Sequence, residues 1–231
     1  MNKAVALIAV GCWICGAAPA HGQEETLAAM PPLSERVTIA GGMAVSYISA
    51  PDVVGLIDFT PGAEEQLPAY KTGIQFFGLI TVPMFPKWTV KAEYSYLLAS
   101  YNISSEFGPG GSVDYTLTAN LPSVILQYIL VDKPEYTVRI GAGVGYHFGK
   151  LSTTFFGQEL DYTATGIGTV LEIEGMTAVS EHIFALLGAN LRWEWIGTLK
   201  DPHGHEPTYV SSSTTMTMFA PSVKIGFAYA L

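Results

Sequence analysis

The chain has 231 residues, 49% hydrophobic and only 13% charged, with a mean hydropathy of +0.31 and a net charge of −9. An acidic balance of that size argues against nucleic-acid binding, which needs a basic footprint. The apolarity fits a membrane protein or a very large core, yet beyond the N-terminus no apolar run reaches the roughly 18 to 20 residues of a spanning helix. A closed β-barrel is the other structure that satisfies its backbone in lipid.

In chain order, Lys3, the short apolar stretch 4–15 and the small residues Ala18-Pro19-Ala20 predict a secretory signal over residues 1–20. A short polar leader, expected on the periplasmic side, follows at 21–35, and the rest, 36–231, is expected to be one domain. Both cysteines, Cys12 and Cys15, lie inside the signal. The remaining chain then has no thiol for a disulfide or a thiolate metal site. It carries 10 basic against 20 acidic residues.

Alternation with period two, the signature of barrel strands, then recurs along the chain. Residues 36–48 set Val37, Ile39, Met43, Val45 and Tyr47 against small or polar neighbours. Residues 70–82 alternate less cleanly, with Phe77 and Leu79 on the polar side. Residues 88–99 set Trp88, Val90, Tyr94 and Tyr96 against Thr89, Lys91, Glu93 and Ser95. Residues 113–130 change phase at Pro122, which predicts a β-bulge there. Residues 136–148, 164–175, 183–197 and the last strand, ending at Leu231, complete the set.

Eight strands with alternating short and long connections predict an all-β, eight-stranded, antiparallel up-and-down transmembrane β-barrel. The long connections are expected at 49–69, 102–112, 150–162 and 198–215. If the apolar set of each strand faces lipid, the lumen receives Lys91, Arg139, Arg192 and Lys224 with Glu93, Glu172, Glu174 and Glu194. Four cations and four anions in one narrow interior predict a lumen ion-pair network, since an unpaired buried charge costs several kcal/mol. The inside-out alternative, a soluble lipocalin-type barrel, would crowd the aromatic residues into that interior.

With these strands in hand, the chain resembles the small eight-stranded outer-membrane barrels of the OmpA-like and OmpX-like group. The resemblance is carried by residues 138–146 (Val-Arg-Ile-Gly-Ala-Gly-Val-Gly-Tyr) and by the terminal strand 223–231. It implies localisation in the outer membrane, contact with outer-membrane lipid, and insertion through machinery that reads the C-terminal strand. The last residue is Leu231, where such barrels typically end in an aromatic. No peptidoglycan-binding domain of the OmpA type is expected, so the resemblance implies no wall-anchoring role.

Candidate chemistry is sparse. His203-x-His205-Glu206 offers metal-type ligands, but Pro202, Gly204 and Pro207 mark a turn and a fourth ligand is lacking, so the expectation is no metal and no cofactor. His147 stands at the outer end of a lumen-facing series, with Ser152 and Glu159 nearby in sequence. A hydrolytic pair would need a serine, a histidine and an orienting acid, and a lipid A deacylase or acyltransferase is the competing class. The expectation is a non-enzymatic barrel with a structural or surface-contact role. The apolar segment 53–59 in the first long connection is either a contact site or folds onto the barrel rim.

Overall fold

The computed structural model describes residues 32–58, 71–104, 112–155, 158–207 and 214–231; the expected signal and residues 21–31 of the leader lie outside them. Eight strands form a closed antiparallel barrel: β1 (Thr38–Ile48), β2 (Lys71–Phe85), β3 (Trp88–Ser104), β4 (Ser112–Asp132), β5 (Tyr136–Phe155), β6 (Gln158–Ala178), β7 (Ile183–Thr198) and β8 (Thr215–Ala230). Each strand pairs with its neighbours in sequence, and β1 closes on β8 from Thr38↔Ala230 to Ser46↔Ser222. A 3₁₀ turn, Leu33–Glu35, precedes β1, and one α-helix, α1 (Pro51–Asp58), follows it.

Closure is fastened where the chain ends meet. The Arg36 guanidinium donates to the carbonyls of Ala230 (2.8 Å), Glu181 (3.3 Å) and Leu231 (3.4 Å). The Leu231 amide donates to the Val37 carbonyl at 2.9 Å. The edge groups that an open sheet would leave unpaired are thereby satisfied.

The outer face explains the apolar composition. Ile39, Val45, Ile80, Val124, Val144, Leu171, Val223 and Phe227 are exposed. Such a belt is stable only against lipid. Aromatic pairs sit toward its two edges. Trp88 meets Tyr128 edge-on at 5.1 Å near the short-turn end, and Tyr146 meets Phe148 at 5.3 Å near the other.

The belt does not run the full length of the strands. On β4 the outward residues Pro122, Val124, Leu126, Tyr128 and Leu130 are apolar, but Asp114, Thr116, Thr118 and Asn120 are polar. The inward residues change the other way: Val113, Tyr115, Leu117, Ala119 and Leu121 are all buried apolar groups, followed by a mixed series in which Ser123 and Gln127 alternate with Ile125 and Ile129. β3 shows the same inversion, with Thr89, Lys91, Glu93 and Ser95 inside at one end and Leu97, Ala99 and Tyr101 inside at the other. Nine residues at about 3.4 Å each, tilted by about 40°, rise roughly 23 Å, close to the apolar band of about 25 Å in such barrels. Beyond that height the outward face is polar and the interior is an apolar core.

This inversion corrects the expected bulge. The β4–β5 register is the same before Pro122 (Asn120↔Phe148) as after it (Ser123↔Gly145), and the β3–β4 register is continuous through Tyr94↔Pro122. The apolar residues change faces because the surroundings change with height; the pleat keeps its phase. Proline still leaves a mark, because without an N–H it cannot donate. The β4–β5 pairing is interrupted at Leu121 and Pro122.

The third long connection is also corrected. β5 and β6 stay paired as far as Phe155↔Gln158, so most of 150–162 is strand. Its outward residues are polar, and Lys150 Nζ lies 2.8 Å from Asp161 Oδ2.

The apolar segment of the first connection forms α1, which packs at the top of the barrel. Val53, Val54, Leu56 and Ile57 are buried against the apolar core at the long-connection end. Asp52 in the first turn suits the helix dipole, and its carboxylate accepts the Thr215 hydroxyl. Of the apolar segment, Phe59 lies outside the described residues.

Candidate functional site

The lumen is filled in three layers. At the short-turn end, Leu33, Ala40, Phe77, Leu79, Met176, Phe184 and Leu186 form an apolar cluster. Phe77 and Leu79, which break the outward pattern of β2, belong to this plug, and Leu33 brings the 3₁₀ turn into it. At the long-connection end, the second apolar cluster runs from Leu97 and Leu117 to Met216 and the buried face of α1. Between the two lies a charged layer.

Every residue of the expected ion-pair network lies in the lumen and is at most 4% exposed. Lys91 Nζ reaches Glu172 at 2.5 Å and both Glu93 and Glu174 at 3.1 Å. Lys224 Nζ reaches Glu93 and Glu172 at 3.0 Å and Glu174 at 3.4 Å. Arg192 lies 2.6 Å from Glu93 and 3.9 Å from Glu194. Gln127 donates to Glu172 at 2.8 Å. Below the cluster, Lys224 Nζ sits 5.4 Å from the centre of the Phe77 ring, which presents its negative face to the cation.

Arg139 differs from the other seven. It forms no ion pair among the described residues, although Glu174 is its direct cross-strand partner. Its Nη2 donates to the Leu33 carbonyl at 3.4 Å, and Nε and Nη1 find no hydrogen-bond partner.

The sequence reading missed the upper edge of this layer. His147 Nδ1 is hydrogen-bonded to Glu194, and His147 Nε2 lies 3.3 Å from Ser123 Oγ. Arg192 Nη1 donates to the same hydroxyl at 3.2 Å. The imidazole has room because Gly145 and Gly168 lie beneath it; a Cβ at either position would collide with the ring. A glycine two residues before a lumen histidine was the available signal. Ser152 and Glu159 do not join His147. Ser152 Oγ donates to Asp161 at 2.7 Å, on the outward face of the wall.

Hydroxyl, imidazole and carboxylate stand in the order of a hydrolytic relay. All three residues are buried, and apolar clusters lie above and below them. On the lipid side of the same wall, an apolar groove of about 680 Å³ crosses Gly78, Ala92, Pro122 and Val144, with Ser123 and Gly145 on its lining.

His203, His205 and Glu206 lie in the connection after β7. The residue that joins the two imidazoles is Asp201, and Glu206 is exposed outside the group. Pro202 obscured the spacing Asp-x-His-x-His.

Neither a protein-family model nor a curated protein matches the chain. Solved structures do. The chain is similar to Neisserial surface protein A, with a TM-score of 0.51 and 12% identity over 84% of this chain and 97% of that one. The attachment invasion locus protein Ail of Yersinia pestis is similar with a TM-score of 0.48 and 12% identity, over 85% and 99% of the two chains. OprG of Pseudomonas aeruginosa gives 0.42 and 15%, over 85% and 96%. At 12% identity, the likeness to the first shows the fold: that of a small eight-stranded outer-membrane barrel.

Proposed function

We propose that this outer-membrane β-barrel is plugged by its own side chains and serves a structural or surface-contact role through its four extracellular connections. The observation that supports this reading is the three-layer lumen: among the described residues, two apolar clusters lie on either side of a charge-balanced layer. An ion passing through would have to displace paired, buried charges, at a cost of several kcal/mol. The partners under this reading are outer-membrane lipid around the apolar belt, the insertion machinery at β8, and an extracellular partner at the polar upper wall and its connections.

Planar-bilayer recording of the purified chain tests it. We expect no stable conductance of general-porin size. Large, weakly selective openings in every insertion would refute the plugged lumen, and small, ion-selective steps would support a narrow channel.

One observation favours a second reading, an enzyme that modifies outer-membrane lipid. The Ser123–His147–Glu194 line lies just inside the wall where the β4–β5 pairing lapses and the lipid-side groove runs. Mass spectrometry of lipid A from cells with and without the gene separates the readings. A structural role leaves the acyl count unchanged. A changed count that Ser123→Ala abolishes would establish the enzyme.

A further inference from the structure

We propose that the connection after β7 is a metal site, in which Asp201, His203 and His205 form an open three-ligand centre for a divalent cation of the Zn²⁺ or Cu²⁺ class. The segment is held in shape by its own backbone. Asp201 Oδ1 accepts the amides of His203 at 2.9 Å and His205 at 2.7 Å. The Asp201 amide donates to the His205 carbonyl at 2.9 Å, and the Gly204 amide returns to the Asp201 carbonyl at 3.0 Å. Gly204 has φ +86°, a left-handed conformation that a side chain would strain.

This ring is anchored to the barrel on its N-terminal side. Leu199 is fully buried in the apolar core at the long-connection end, and Lys200 pairs through both backbone groups with Thr163 of β6 at 2.8 and 3.0 Å.

With Oδ1 occupied by two amides, Oδ2 is the oxygen that faces the imidazoles. It lies 3.3 Å from His205 Nδ1 and 3.8 Å from His203 Nδ1. The ligand atoms of all three residues fall within 4.8 Å of one another. Around a tetrahedral ion with bonds of about 2.0–2.1 Å, neighbouring ligand atoms are about 3.4 Å apart. The two oxygen–nitrogen separations are therefore already close to those of a filled site. Both rings are largely exposed, lie 25° from parallel, and have centroids 6.1 Å apart, so an ion can enter from solvent.

Ligand chemistry selects the ion. Two imidazoles and one carboxylate suit Zn²⁺, Cu²⁺ or Ni²⁺, whereas Ca²⁺ and Mg²⁺ prefer all-oxygen shells. Three protein ligands leave a fourth position for water or a solute group, the pattern of an open site.

Calorimetric titration of the full, untagged chain in detergent micelles with Zn²⁺, and separately with Cu²⁺, tests the site. We expect one equivalent to bind with a micromolar dissociation constant. Asp201→Asn should weaken binding at least tenfold while its amide oxygen still accepts the two backbone amides. The pair His203→Ala/His205→Ala should abolish it, and heat-modifiable gel mobility should show that both variants remain barrels. Unchanged binding in the double histidine variant would overturn the proposal. So would the absence of saturable binding below millimolar metal, or displacement of Zn²⁺ by equimolar Ca²⁺.

Discussion

Arg192 lies between Glu93 and Glu194 and is 1% exposed, so its charge is balanced by protein groups and not by water. Truncating one partner of such a pair typically costs about 3–5 kcal/mol, because it leaves an uncompensated buried charge, whereas removing both can be nearly neutral. Arg192→Met should therefore lower the urea unfolding midpoint in lipid vesicles sharply. Arg192→Met combined with Glu93→Gln keeps the lumen neutral and should recover much of the loss. A single variant that unfolds with the wild type, or a double variant worse than the sum of its parts, would count against the network. Lys150 and Asp161 make an instructive contrast. Their side chains are 41% and 37% exposed on the upper wall, and such a pair contributes at most about 1 kcal/mol. Hydrogen bonds from Lys150 and Ser152 hold the Asp161 carboxyl below its ordinary value. Whatever the pair contributes is present above the unfolded carboxylate pKa and is lost as pH falls through the lowered one.

At the scale of elements, strands were legible wherever one environment acted along their whole length. β7 alternates cleanly, as does β8 from Val223 to Tyr229, and the large apolar residues exposed in these stretches belong to their outward sets; higher up, β8 inverts, with Met216 and Met218 buried inside. β4 was misread at Pro122 because a phase change in the pattern has two physical origins: a slip in the pleat, or a change of solvent across the wall. Sequence periodicity alone does not separate them. Phe77 and Leu79 looked like errors in β2 for the same reason, since they face an apolar plug inside the barrel. The charged layer was legible through its balance of signs, but its members' partners were not. His147, Ser123 and Glu194 come from three strands, and no local spacing brings them together. Asp201 was hidden for the opposite reason. It is only two residues from His203, but Pro202 stands between them and marks a turn that local spacing does not cross.

The whole molecule therefore consists of two barrels in series, continuous in backbone and opposite in polarity. The lower one is apolar outside and holds the charged layer above an apolar cluster within; the upper one is polar outside and apolar within, with α1 packed against its core. This division makes a prediction about depth that no single residue carries. Leu126 and Thr118 both lie on the outward face of β4, eight residues apart, or about 20 Å along the axis at the usual strand rise and tilt. The described chain has no cysteine, so Leu126→Cys and Thr118→Cys each give a unique attachment point for an environment-sensitive fluorophore in a chain beginning at residue 21. In lipid vesicles the label at 126 should emit as in hydrocarbon and resist quenching by iodide. The label at 118 should emit as in water and be quenched several-fold more strongly. If both labels report lipid, the belt runs the full height of β4 and the polar upper wall does not stand clear of the membrane. If the two differ as expected, the upper barrel stands in solvent, and its outward face together with the connections above it is the surface available to a partner.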